Sequence, residues 1–175
     1  MEFNELIQQR RSVRKYQPRQ PERAVIEEIL RAAQLAPSWK NSQTARFYVA
    51  EGERADELRL SCLPEGNSRK AAGAALIVTT YVRAVSGHTQ GQPDNEPGDK
   101  WGAFDLGLAV SYLILKARDL GLDTLIMGLR DGQAIREKLN IPDNEEIMAV
   151  LSLGERDEEP VLRPRKELDE IAAFL

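Results

Sequence analysis

From Phe104 to Leu120 the chain offers apolar side chains around most of a helical circumference: Leu106, Leu108, Ala109, Val110, Leu113, Ile114, Leu115 and Ala117. Such a helix must be covered on most sides, either inside the domain or at a subunit interface. Gly121 follows as a suitable stop. A second constraint comes from Ala74 to Tyr81, a near-continuous apolar and β-branched run. It predicts a strand buried on both faces.

Shorter patterns fill in the rest. Phe3, Leu6 and Ile7 have helical spacing, and that helix runs out in Gln8-Gln9-Arg10-Arg11. Pro18 and Pro21 bracket a connection, with Pro21 suited to the first turn of the next helix. That helix carries Ile26, Ile29, Leu30 and Ala33 inward, and Pro37 closes it. Phe47–Val49, Thr124–Met127 and Ile147–Leu153 read as further strands. Helices are predicted around Leu58 and Cys62, around Ile135 and Leu139, and at the end through Leu168, Ile171, Ala172 and Leu175. Ser86 to Lys100 is polar, rich in Gly and Pro, and long enough for a mobile lid or a disordered excursion. The alternation of strands and helices favours a parallel doubly wound sheet, but two helices come first and the strands are few. With no repeat and no dividing linker, residues 1–175 read as a single domain.

Composition removes several functions. A net charge of −4 argues against a duplex nucleic-acid binder. One cysteine, Cys62, and one histidine, His88, exclude an intrachain disulfide and any multi-His or Cys-based metal centre. Cys62 reads as a small buried hydrophobe. No apolar run approaches the ~20 residues that cross a bilayer, and the start has no basic n-region, so a cytoplasmic protein without a membrane partner is expected. There is no G-x-G-x-x-G after a strand, no P-loop and no G-x-S-x-G elbow. His88 lies in the polar excursion, a poor place for a catalytic triad.

Four polar clusters remain. Arg10-Arg11-Ser12-Val13-Arg14-Lys15 crowds the end of a helix, where cations suit the C-terminal dipole, or else forms an anion site through guanidinium groups and a hydroxyl. Ala36-Pro37-Ser38-Trp39-Lys40-Asn41-Ser42-Gln43 is a loop whose amides and hydroxyls could hold the edge of a heteroaromatic ring. Asn67-Ser68-Arg69-Lys70 precedes the buried strand, and Arg163-Pro164-Arg165 precedes the last helix. Alone, either of these reads as solvated surface.

Together these clusters, with Ile126-Met127-Gly128 after the apolar helix, occur in the order found in the nitroreductase family of flavoproteins, and the sequence resembles that family from Phe3 onward. The resemblance implies an α+β fold with a mostly antiparallel central sheet wrapped by helices. It also implies an intertwined homodimer with two FMN sites at its interface, the apolar helix being the central dimer helix. By position, Arg10, Ser12 and Arg165 would bind the FMN phosphate, with Arg11 and Arg163 close by. Arg14, Lys70 and Asn67 would face the isoalloxazine, and Pro37, Ser38, Trp39 and Asn41 would reach in from the partner subunit. Met127 and Gly128 would lie beside flavin N5. No protein acid or base is then required, because the cofactor carries the chemistry: ping-pong hydride transfer from NADH or NADPH to a nitroaromatic, quinone or similar small acceptor. Thr44 follows Gln43 where the family often has proline, and Trp39 is bulkier than the residue usual there. A non-catalytic flavin- or nucleotide-binding module on the same fold, and a scaffold whose basic clusters are only surface, are the competing readings.

Overall fold

The computed structural model describes residues 1–175. In chain order the helices are α1 (Phe3–Gln9), α2 (Arg23–Gln34), α3 (Glu53–Cys62), α4 (Glu65–Lys70), α5 (Lys100–Asp119) and α6 (Gly132–Leu139). The strands are β1 (Ala45–Ala50), β2 (Ala75–Val82), β3 (His88–Thr89), β4 (Gln92–Pro93), β5 (Asp123–Met127) and β6 (Glu145–Gly154). The main sheet has the order β1-β2-β6-β5, and every neighbouring pair is antiparallel. The fold is thus α+β, and the parallel sheet suggested by alternation alone does not form. Sequential order along the chain does not dictate spatial order: β6 inserts between β2 and β5.

β2 is the centre of the molecule, as its uninterrupted apolar run requires. Leu76 and Val78 face one core with Leu58, Cys62, Ile135 and Val150. Ala75 and Ile77 face the other, with Ile26, Ile29, Leu113 and Leu151. Each fully buried Leu or Ile contributes roughly 1.5–3 kcal/mol of transfer free energy, so both faces are well covered. Gly102 lets α5 lie directly on the sheet, since a Cβ there would meet the Tyr81 ring at 2.3 Å.

α5 starts at Lys100, four residues before the predicted boundary. Leu106, Ala109, Val110, Leu113 and Ala117 enter the core, while Phe104 and Tyr112 stay exposed on the opposite side. The helix is therefore covered on one side only within this chain.

Several local expectations change. α1 ends at Gln9, and residues 11–16 are extended rather than helical. Pro21 precedes the Glu22 N-cap of α2, outside the first turn, so its fixed φ guides the entry of the chain. The Asn67–Lys70 cluster belongs to α4. Ser86 to Lys100 is an ordered hairpin, β3 pairing with β4 through His88↔Pro93 and Thr89↔Gln92. The terminal helix shrinks to a 3-10 turn at Leu168–Glu170, with Leu168, Ile171, Phe174 and Leu175 exposed. A helical apolar pattern with nothing in the chain to pack against gains too little to hold a helix.

Candidate functional site

The first cluster owes its shape to strand pairing. Ser12 bridges Thr124 of β5 in parallel, with the Val13 N–H donating to the Thr124 carbonyl at 3.1 Å. Val13 is fully buried, so strand alternation turns Ser12 and Arg14 outward together. Tyr16 anchors the segment: its hydroxyl donates to the Val13 carbonyl at 2.9 Å and shares a 2.9 Å hydrogen bond with Ser152 Oγ. Arg10 thus caps the C-terminus of α1, while from Ser12 the basic segment meets the β5 edge through a single bridge.

Arg10, Arg11, Ser12 and Arg14 there meet Arg163 and Arg165 around a cavity of about 240 Å³, with Glu158 and Glu159 also in its wall. None of the five arginines forms an ion pair with a carboxylate. Partial burial, then repulsion from Arg165 and Arg11, holds the Arg10 guanidinium below its ordinary pKa. Five guanidinium groups free of ion pairs outnumber the two wall carboxylates, of which Glu158 accepts from the Arg14 backbone N–H, and planar guanidinium groups suit a phosphate.

The second element is the exit from β5. Met127 is buried, while Gly128 and Leu129 are exposed. Arg130 folds back to donate to the Gly128 carbonyl at 2.8 Å and to the Ile147 carbonyl, and Asn67 Nδ2 donates to the Leu129 carbonyl at 3.0 Å. The N–H groups of Gly128, Leu129 and Arg130 have no acceptor within the chain. With their carbonyls tied back, these amides are preorganised donors for an external acceptor. Lys70, one turn beyond Asn67 on α4, is half-buried.

The third element is the loop at Pro37–Gln43. Ser38 Oγ accepts from the Gln43 N–H at 3.0 Å, and the Trp39 N–H donates to Asp105 Oδ2 at 2.9 Å. Lys40, Asn41 and Gln43 all have positive φ, at 47°, 55° and 49°. Pro37 and Ser38 line a separate cavity of about 460 Å³ with Thr44, Phe47, Asp105 and Ala109. The two cavities share no residue. Within one chain, then, Pro37, Ser38, Trp39 and Asn41 form their own group, apart from the arginines.

Residues 7–155 match the model of the nitroreductase family. This chain belongs to the nitroreductase family. Among its relatives is an Archaeoglobus fulgidus protein named for NADH dehydrogenase and NAD(P)H nitroreductase activity, 32% identical over 153 residues, which cover 85% of this chain and 82% of that one. The 4-nitrobenzoate reductase of Pseudomonas putida is 27% identical over 90% of this chain and 86% of its own. Among solved structures, an oxidoreductase containing FMN superposes with a TM-score of 0.83 at 27% identity, covering 99% and 91% of the two chains. The chain is accordingly an oxidoreductase of this family with the family's fold.

Sequence reasoning missed Asp105, Arg130 and Asp123. Asp105 carried a visible signal, as an acidic residue within an otherwise apolar helix. Arg130 and Asp123 carried none, because each also has a partner distant in sequence, the Ile147 carbonyl and Arg156.

Proposed function

We propose that this chain is an FMN-dependent oxidoreductase, active as a homodimer, that takes hydride from NADH or NADPH and passes it to a nitroaromatic, quinone or similar flat acceptor in a ping-pong cycle. The observation that carries the reading is the unpaired arginine cavity at the same sheet edge as the free amides after β5. The first suits a phosphate monoester, and the second suits the polar edge of a ring. Names among the relatives agree, one containing FMN and others being NAD(P)H or nitroaromatic reductases.

Bound FMN would supply the hydride-accepting and hydride-donating centre, chemistry for which this chain has no side-chain equivalent. Arg10, Ser12 and Arg165 hold the phosphate, with Arg11 and Arg163 adding charge. Arg14 and Lys70 bring positive charge to a ring on which reduction places negative charge, which raises its potential. Asn67 contacts the ring and also fixes the Leu129 carbonyl, while Met127 and Gly128 present backbone to the reacting edge.

Pro37, Ser38, Trp39 and Asn41 complete the site from a second copy. Support comes from the separation of the two cavities in one chain and from apolar groups left uncovered by it, namely Phe104 and Tyr112 on α5 and Leu162 and Phe174 near the end.

The test is an anaerobic absorbance spectrum of the FMN-loaded protein before and after stoichiometric NADPH, then NADH. Bleaching of the flavin band is the expected result and names the donor. A flavin band that persists with both nucleotides would favour the non-catalytic binding module. Failure to retain FMN would overturn the assignment of the arginine cavity.

A further inference from the structure

Asp105 is a carboxylate in the second turn of α5, only 4% exposed, and no salt bridge of the chain includes it. Burying a charge this way is unfavourable unless hydrogen-bond donors replace water. Its donors come from two other segments. From the Pro37–Gln43 loop, the Trp39 N–H reaches Oδ2 at 2.9 Å and Ser42 Oγ reaches it at 3.5 Å. From the root of the hairpin, Ser86 Oγ also donates to it, and Ser86 is itself buried.

Both segments need holding. The loop contains three non-glycine residues at positive φ, Lys40, Asn41 and Gln43, a conformation that side chains disfavour. The hairpin root is pressed against α5: Gly87 has φ +75°, and a Cβ there would meet the Trp101 ring at 2.5 Å. Loop and hairpin also touch each other directly. Lys40 Nζ binds Thr89 Oγ1 at 2.9 Å and Asp94 Oδ2 at 3.0 Å, while on α5 the Trp101 ring lies 4.7 Å from the Trp39 ring and its Nε1 donates to Asn95 Oδ1 at 2.8 Å.

We propose that Asp105 is a positioning residue that fixes the Pro37–Gln43 loop and the Ser86–Pro93 hairpin to α5 as one unit. The polar excursion is then a docked wall of the site whose placement depends on the same carboxylate as the cofactor loop. The consequence for the reaction rests on the reading above, in which this loop completes the FMN site. Asp105 acts through the Trp39 backbone and Ser86, touching neither cofactor nor acceptor.

The full-length protein offers a direct probe, because Trp39 and Trp101 are its two tryptophans. Their contact at 4.7 Å should give an exciton couplet in circular dichroism that reports on this junction. The experiment compares wild type with Asp105→Ala and Ser86→Ala by amide hydrogen exchange, the couplet and FMN affinity. Asp105→Ala removes the one oxygen, Oδ2, on which all three donors converge, whereas an asparagine could place its carbonyl oxygen there and keep them. Exchange of the Trp39 N–H should accelerate roughly tenfold or more, the couplet should collapse, and FMN should bind about tenfold more weakly. Amides of β2 and β6 should stay protected.

A Trp39 N–H and couplet unchanged from wild type would overturn the proposal and leave the FMN reading intact. Exchange raised equally in β2 and β6 would also overturn it, as general destabilisation. A freed loop with unchanged FMN affinity would instead remove the loop from the cofactor site, and with it the role of Asp105 in the reaction. Should Asp105→Ala fail to fold, Ser86→Ala decides. It should expose the Asp94 N–H, bonded to the Gly87 carbonyl at 2.7 Å, and weaken the couplet while Trp39 stays protected. No change in either would overturn the proposal.

Discussion

Arg156 grips Asp123 with two parallel hydrogen bonds, Nε to Oδ2 at 2.7 Å and Nη2 to Oδ1 at 3.0 Å, although the Asp123 side chain has no solvent exposure. Arg118, at the end of α5, donates to Oδ2 from the other side at 2.8 Å. One carboxylate therefore joins α5, the first residue of β5 and the segment beyond β6. Ser12 pairs with the very next residue, Thr124, so this junction supports the floor of the arginine cavity.

Replacing Asp123 with Asn should be severe, because two largely buried guanidinium groups lose their counter-charge. Breaking a buried pair from one side costs about 3–5 kcal/mol. Urea unfolding of Asp123→Asn should show an unfolding free energy lower by that amount, read from the midpoint and slope. A shift within the error of the wild-type curve would show that the junction adds nothing to stability.

Arg165 should behave in the opposite way in the protein without ligand. It repels Arg10, whose pKa is depressed by burial and by this neighbour. Arg165→Gln should leave the apoprotein no less stable, since it removes an unfavourable charge contact. FMN affinity should fall about tenfold or more with the loss of a charge-assisted phosphate contact. Titration calorimetry and thermal unfolding with and without FMN separate the two effects. Equal affinity in the variant would exclude Arg165 from phosphate binding.

Gly87→Ala should damage the hairpin locally. Its φ of +75° disfavours any Cβ, and the new methyl would lie 2.7 Å from the Gly98 carbonyl oxygen as well as against Trp101. A cost of about 1–3 kcal/mol is expected for such strain, concentrated at the hairpin. Limited proteolysis should cut within 86–98 before the sheet unfolds. An unchanged cleavage rate would mean that the hairpin root has room to relax.

Alkaline pH should reveal Tyr48. Burial, then its 2.9 Å hydrogen bond to Glu145, pushes its phenol from 10.0 up to about 12. The folded state thus favours the neutral phenol. Its contribution is complete below pH 10 and is lost as pH rises from 10.0 toward about 12. Tyr48→Phe should flatten that part of the stability–pH curve. Tyr16, raised further by its own burial, preserves some slope. Identical slopes in variant and wild type would count against the coupling.

Much of the sheet was legible because burial leaves a local mark. The run at Ala74–Tyr81 could only be a central strand, and β5 and β6 appeared within about two residues of their ends. The site was legible only as pieces. Arg10–Arg14 and Arg163-Pro164-Arg165 are about 150 positions apart, and nothing in either stretch says that they meet. The resemblance to a family supplied the grouping. The final segment has genuine helical periodicity, but Leu168, Ile171, Phe174 and Leu175 pack against nothing within the chain, so the helix that the period suggests does not form.

The sequence by itself determined which segments are apolar and which are polar, and that one cysteine and one histidine cannot make a Cys-based or multi-His metal centre. Those properties follow from side-chain type and period. The tertiary structure decided what could not be local: the insertion of β6 between β2 and β5, the bridging of Ser12 to the β5 edge, and the convergence of two segments on Asp105. Pairings across the chain depend on which hydrogen-bonding edges and apolar faces are left over after every other element has packed, a condition set by the whole fold.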